Sequence, residues 1–291
     1  MNEELFTMIP NYFIWDYKGG DSLMRVCGEK TLLMIEYLYS RTSRFNTTFF
    51  TIEDMILKMG YKPKSGKNGI NEEMKKYLIL FEENGIISNL SKEIQKVNIK
   101  DTIECELNLN LTEGFFKLNI EYVNKILEEE SNNNVAIGML NVLCYILARI
   151  KKRDKELKPG CEGYNAEATW FSMEDGCYDM GLEKKTFQKY LNRLVDIGIV
   201  CYANIGQIRR NGTVKTANNV YALNEDELVQ GLKASKYYYE SEHWKVLNRK
   251  MTRVTRQING IKGRIKQLKK EGYDTWDLEE KLSKLEKKLT V

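Results

Sequence analysis

The sequence predicts a mainly helical α+β fold, in which one helix–strand–helix–helix–hairpin unit occurs twice and a basic helical segment follows. Three observations predict it: a stretch that recurs further along the chain, hydrophobic spacing that changes from helical to alternating at matching points of both copies, and a cationic tail with heptad spacing. At about 150 residues per domain, 291 residues have room for two domains and an appendage. The expected division is 1–113, 114–232 and 233–291. A hydrophobic content of 42% with 17 tyrosines supplies real cores, so wholesale disorder is not expected. No run approaches the ~18 consecutive apolar residues of a membrane span. The opening MNEELFTMIPNY carries two acidic and no basic residues, unlike a secretory leader. A soluble, cytoplasmic chain without a membrane partner is expected.

The recurrence is specific. Thr48-Phe-Phe-Thr-Ile-Glu-Asp54 reappears as Thr169-Trp-Phe-Ser-Met-Glu-Asp175, an offset of 121, and Met59-Gly60 matches Met180-Gly181 at the same offset. Tyr77-Leu78, Phe81 and Gly85-Ile86-Ile87 parallel Tyr190-Leu191, Leu194 and Gly198-Ile199-Val200 at an offset of 113. Upstream, Tyr37-Leu38 with Arg41 parallels Tyr145-Ile146 with Arg149 at an offset of 108. The length changes fall in Lys62–Gly69 and between Ile150 and Ala168, both Lys/Gly/Pro-rich stretches where loops absorb insertions.

Taken in order through the second copy, Val135–Lys152 has Met139, Val142, Leu143, Ile146 and Leu147 at helical spacing. A short strand follows at Thr169-Trp170-Phe171. Ser172 then caps a short helix that stops at Gly181, as Thr51 caps one that stops at Gly60. A third helix from about Glu183 to Asp196 buries Phe187, Leu191, Leu194 and Val195, and Gly198 ends it, as Gly85 does in the first copy. Residues 199–204 and 214–223 then form a hairpin around Asn211-Gly212. Its counterpart in the first copy is Ile86–Asn98 paired with Thr102–Leu111.

This order, with Ser172-Met-Glu-Asp, Met180-Gly181-Leu182-Glu183-Lys184-Lys185-Thr186-Phe187-Gln188-Lys189-Tyr190-Leu191 and Gly198-Ile199-Val200, resembles bacterial winged helix-turn-helix domains. Two in one chain look like the tandem winged-helix replication initiators of plasmids, over roughly residues 5 to 225. The resemblance implies sequence-specific binding of double-stranded DNA at origin repeats, with self-association and host replication proteins as further partners. Transcription or transfer regulators bound to operators use the same module, and winged helices also serve as protein-interaction scaffolds.

In a helix-turn-helix the third helix enters the major groove. Removing the buried set leaves Lys184, Lys185, Gln188, Lys189, Asn192 and Arg193 on its outer face, and the hairpin adds Arg209, Arg210 and Lys215. Lys184 to Lys215 holds seven basic residues and one acidic, Asp196. Lys and Arg suit phosphates, while Gln188 and Asn192 suit adenine edges. For the helix alone, a solvated lysine-rich face is the simpler reading; the basic hairpin tips the balance. In the first copy Lys62, Lys64 and Lys67 precede the third helix, which offers Asn71 and Lys75 among Glu72, Glu73 and Glu82.

Catalysis finds little support. The only histidine, His243, excludes the paired-histidine metal site by which rolling-circle nicking enzymes resemble one another. Gly60-Tyr-Lys-Pro-Lys-Ser-Gly66-Lys67-Asn68 fails as a P-loop in spacing and in its last residue. The six cysteines contain no C-x-x-C, so neither zinc nor any other cofactor is expected, and the thiols read as reduced and mostly buried.

In the tail, Leu247, Met251, Val254, Ile258, Ile261, Ile265 and Leu268 trace a heptad seam, which breaks at Gly272 and resumes with Leu278, Leu282, Leu285 and Leu289. A coiled coil or helical hairpin is expected. Residues 244–270 hold ten Lys/Arg and no acid, and Arg253, Arg256 and Arg264 are assigned to DNA contact there. The net charge of +4 therefore combines −4 over 1–243, +10 over 244–270 and −2 over 271–291.

Overall fold

The computed structural model of the chain describes residues 5–15, 20–150, 163, 165–247, 261, 262, 265, 268, 269 and 274–287. The protein is mixed α/β, 48% helical and 18% strand, with small sheets only. By contacts it divides into two compact units, Met1–Lys152 with Met173–Val200, and Arg153–Ser172 with Cys201–Val291.

In the first unit, β1 (Phe6–Pro10) leads through a 3-10 turn at Asn11–Phe13 to α1 (Leu23–Cys27) and α2 (Thr31–Tyr39). Then come β2 (Thr47–Phe50), α3 (Ile52–Lys58), α4 (Ile70–Glu83), β3 (Ile87–Ser88), β4 (Ile103–Leu107), β5 (Phe115–Asn119), α5 (Ile120–Glu129) and α6 (Asn133–Arg149). The unit closes with α7 (Met173–Met180) and α8 (Lys184–Asp196). β2, β4 and β3 form an antiparallel sheet with β4 in the middle, and β1 pairs with β5.

Local chemistry sets these boundaries. The Thr51 hydroxyl accepts the Asp54 amide at 3.0 Å and starts α3, a cap of the kind that contributes about 1 kcal/mol. α4 buries Asn71, Met74, Tyr77, Leu78 and Phe81 along one stripe. Both third helices end alike. Gly85 (φ 69°) and Gly198 (φ 72°) take the left-handed conformation, and the next amide, Ile86 or Ile199, donates back to Phe81 at 2.8 Å or Leu194 at 3.0 Å. α6 is the hub, with thirteen of its 17 residues buried, and packs on α2, α5, β5 and α8. Gly138 lets α8 approach it: a Cβ there would lie 2.3 Å from the Tyr190 ring.

The second unit contains β6 (Ala168–Phe171), β7 (Cys201–Ala203), β8 (Gln207–Arg210), β9 (Thr213–Thr216), β10 (Asn219–Ala222), α9 (Glu225–Ser241), β11 (Lys245–Leu247) and α10 (Trp276–Lys287). Its first sheet runs β6-β10-β7, the same pattern as β2-β4-β3. That sheet packs Ala168, Trp170, Val220 and Ala222 against Ala234 of α9. The order α2, β2, α3, α4, β3, β4 therefore recurs as α6, β6, α7, α8, β7, β10. The helices of the second copy belong to the first unit and its strands to the second.

Three expectations need correction. Asn211-Gly212 joins β8 to β9, and residues 199–204 do not pair across that turn: β7 pairs with β10 instead, so β8 and β9 form a separate hairpin between them. Of Ile86–Asn98 only Ile87–Ser88 is strand. Asn89 turns left-handed (φ 54°), and Ile94 and Val97 are buried as plugs from the loop that follows. Leu247, the first residue of the expected helical seam, is instead the last residue of β11, opposite Gln207. The open edge of β8 offers unpaired backbone groups, and pairing with it wins over helical spacing. Further along, Ile261, Ile265 and Leu268 are helical with Ile265 buried, whereas Met251, Val254 and Ile258 lie outside the described residues. Sequence reasoning did not anticipate β1, α1, β5, α5 or α9.

Candidate nucleic-acid interface

α8 turns Phe187, Leu191 and Leu194 fully inward. The opposite face exposes Lys184, Lys185, Lys189 and Asn192, with Gln188 and Arg193 half-buried. Together with Met173 of α7 these six line an open concavity of about 570 Å³. All six second-copy helix residues expected from sequence are thus brought together on one surface.

Their partners are ordered along the helix. At its start, Lys184 Nζ lies 2.6 Å from Glu174 Oε1. In the middle, Gln188 Nε2 donates to Asn192 Oδ1 at 2.7 Å, which ties the two amides into one hydrogen-bonding surface. Towards its end, Arg193 donates through Nε and Nη2 to Glu130 Oε2 at 3.2 and 3.1 Å. Lys185 and Lys189 make no ion pair with any described residue. The Asn132 amide and then Arg193 hold the Glu130 carboxyl below the usual carboxylate range. The Lys184 hydrogen bond does the same for Glu174, and Lys184 is raised in return.

The hairpin residues divide between two faces. Asn211 (φ 48°) and Gly212 (φ 80°) make the tight turn between β8 and β9, and β11 adds a third strand. In register, Arg209 stands beside Lys245 and Val214, and these three are exposed on one face. Arg210 and Lys215 point to the other, over the Trp244 ring at 5.7 and 4.6 Å. Arg210 also donates to the Glu242 carbonyl at 3.1 Å. Ile208 and Val246 pack on that side with Tyr239.

The first copy departs most from expectation. Lys62, Lys64 and Lys67 are exposed and carry no ion pair with described residues. Asn71, expected on the surface, is buried: its side-chain oxygen accepts the Lys64 amide at 2.9 Å and pins the loop to α4. Asn71 lies on the stripe of Met74 and Leu78, so helical geometry carries it inward. Lys75 is also corrected; its side chain is 12% exposed, and Nζ donates to the Gln95 carbonyl at 3.3 Å. Glu73 is held by buried Lys30 at 2.8 Å. Tyr61, its pKa pushed up to about 12 by burial and the charges of Glu29 and Glu73, donates to Asn134 at 3.0 Å. Polar contacts within the chain therefore occupy the flank of α4 that the sequence assigned to DNA.

Sequence reasoning missed Glu130, Glu174, Trp244 and Lys245 as members of these surfaces; the run of cations from 244 was the available signal for Lys245. Arg253, Arg256 and Arg264 lie outside the described residues. Among the described residues, no group of three His, Cys, Asp or Glu side chains is placed to hold a metal ion, and no helix is long and apolar enough to cross a membrane. Cys27, Cys105 and Cys144 are buried thiols, while Cys177 and Cys201 are half-buried. The chain matches no family model, no curated protein and no solved structure.

Proposed function

We propose that the chain is a tandem winged helix-turn-helix protein that binds double-stranded DNA sequence-specifically and acts as a plasmid replication initiator at repeated origin sites. The observation that carries the DNA reading is the outer face of α8. It gathers four cations around a linked Gln188–Asn192 pair on one concave surface. Cations meet phosphates, and paired amides match the donor and acceptor of an adenine edge. The repeated element order and the two alike sheets support the winged-helix assignment. The exposed pair Arg209 and Lys245 supplies a second basic surface for duplex backbone. The initiator role rests on the resemblance of the sequence to plasmid initiators; strand opening and helicase loading would fall to partner proteins.

Lys185 and Lys189 give the cleanest test, because neither is ion-paired with a described residue. The double variant Lys185→Ala/Lys189→Ala should bind duplex DNA at least tenfold more weakly. Its salt dependence should flatten by about 0.9 per lost phosphate contact. Unchanged affinity would sink the assignment. Failure of the same variant to maintain a plasmid that depends on this protein would separate initiation from operator binding.

A further inference from the structure

We infer that Glu130 and Glu174 are built-in competitors of DNA, each occupying one end cation of α8 until a duplex phosphate displaces it. The inference rests on the DNA reading of α8. Each carboxylate takes one end of the basic face: Glu174 holds Lys184, and Glu130 holds Arg193. Lys185 and Lys189, between them, form no ion pair with a described residue, although Glu130 also acts on Lys189 through space. The two competitors differ in how firmly they are seated. Glu130 is 12% exposed and fixed from behind, since its Oε1 accepts the Asn132 amide at 3.1 Å. Asn132 in turn caps α6, accepting the amides of Asn134 and Val135. Glu130 therefore keeps its hydrogen bond to the Asn132 amide when Arg193 leaves. Arg193 is the mobile partner, with 41% of its side chain exposed. Glu174 and Lys184 are both mostly solvent-exposed, so water and salt already weaken that pair.

The physical consequence is selectivity. A polyanion that offers only diffuse charge meets two standing cations and two nearby carboxylates that repel it. A site that also engages Gln188 and Asn192 brings its phosphates close enough to replace both carboxylates. Binding energy from the bases is thereby coupled to release of the end cations. Removing the carboxylates should strengthen binding to arbitrary sequence.

The experiment measures full-length wild type, Glu130→Gln, Glu174→Gln and the double variant against a short random-sequence duplex by fluorescence anisotropy, between about 50 and 200 mM salt. Gln at 130 retains an oxygen for the Asn132 amide, so the α5–α6 junction is preserved. Each single variant should bind more tightly than wild type at low salt. Each should also lose roughly threefold more affinity across that salt range, as one added phosphate contact requires. Adding Lys184→Ala to Glu174→Gln should cancel the gain, which a change in folding alone would not do. Wild-type binding with equal or weaker binding by both variants, at an unchanged slope, overturns this inference and leaves the DNA reading standing. A wild type that binds no duplex at low salt overturns the DNA reading and the inference with it.

Discussion

Tyr37 and Tyr145 donate to an aspartate from the next helix, and an arginine one turn along closes each group. Tyr37 reaches Asp54 Oδ2 at 2.8 Å and Arg41 pairs with the same oxygen at 2.5 Å. Tyr145 reaches Asp179 at 2.5 Å, with Arg149 at 3.1 Å from the tyrosine oxygen and 3.4 Å from the aspartate. Arg41 also lies over its tyrosine ring at 3.9 Å, and Arg149 over Trp15 at 4.3 Å. These locks fasten α2 to α3 and α6 to α7. Burial opposes the charge of Asp54, but the Tyr37 hydrogen bond and Arg41 win and depress its pKa. A depressed folded value means the stabilisation is present above the unfolded aspartate value of about 3.9 and is lost as pH falls through the folded one. Tyr37→Phe should cost about 1 kcal/mol at neutral pH. Asp54→Asn should remove part of the acid-side decline in thermal stability; a variant with the wild-type pH profile would refute the lock.

The β11-β8-β9 ribbon carries a prediction at the scale of an element. Strand alternation sends Arg209 and Lys245 to one face, and Arg210 and Lys215 to the other, against Trp244. The hairpin cations expected from sequence as one set are thus two sets with different surroundings. Arg209→Ala/Lys245→Ala should weaken duplex binding and flatten its salt slope without moving the melting temperature. Trp244→Ala should instead destabilise the ribbon by about 2 kcal/mol, because the ring packs with Ile208 and Val246. Urea titration alongside anisotropy distinguishes the two; a melting shift in the Arg209/Lys245 variant would contradict the assigned faces.

For the whole molecule, the charge distribution matters more than its sum. The body over 1–243 is slightly acidic, while 244–270 carries +10. Such asymmetry orients a protein toward a polyanion before contact. Because Trp244 and Lys245–Leu247 belong to the ribbon, the tail is properly removed after Leu247, not before Trp244. Deleting 248–291 should then lower duplex affinity and flatten the salt slope while leaving the ribbon intact. An unchanged slope would make the tail a protein-docking element. Lys269 already meets Glu279 of α10 at 2.7 Å, so part of its charge is answered within the chain.

Features legible from the order of residues are local: the repeat, the helix stripes, the Thr51 cap, the Gly85 and Gly198 stops, the Asn211-Gly212 turn and the grouping of six residues on α8. Each depends on residues a few positions apart, whose spacing and backbone preference act alike in any surroundings. The Tyr-x-x-x-Arg spacing was visible too, but not its aspartate. Asp175 aligns with Asp54, yet the second lock uses Asp179, one helical turn later. Which distant groups meet is set by the fold: Glu130 with Arg193, Asn71 with the Lys64 loop, β11 with β8, and Lys30 with Glu73. Charge pairing and strand-edge pairing act through space and have no sequence period. Packing therefore set which cations of the basic face stand open to solvent and which already hold a carboxylate.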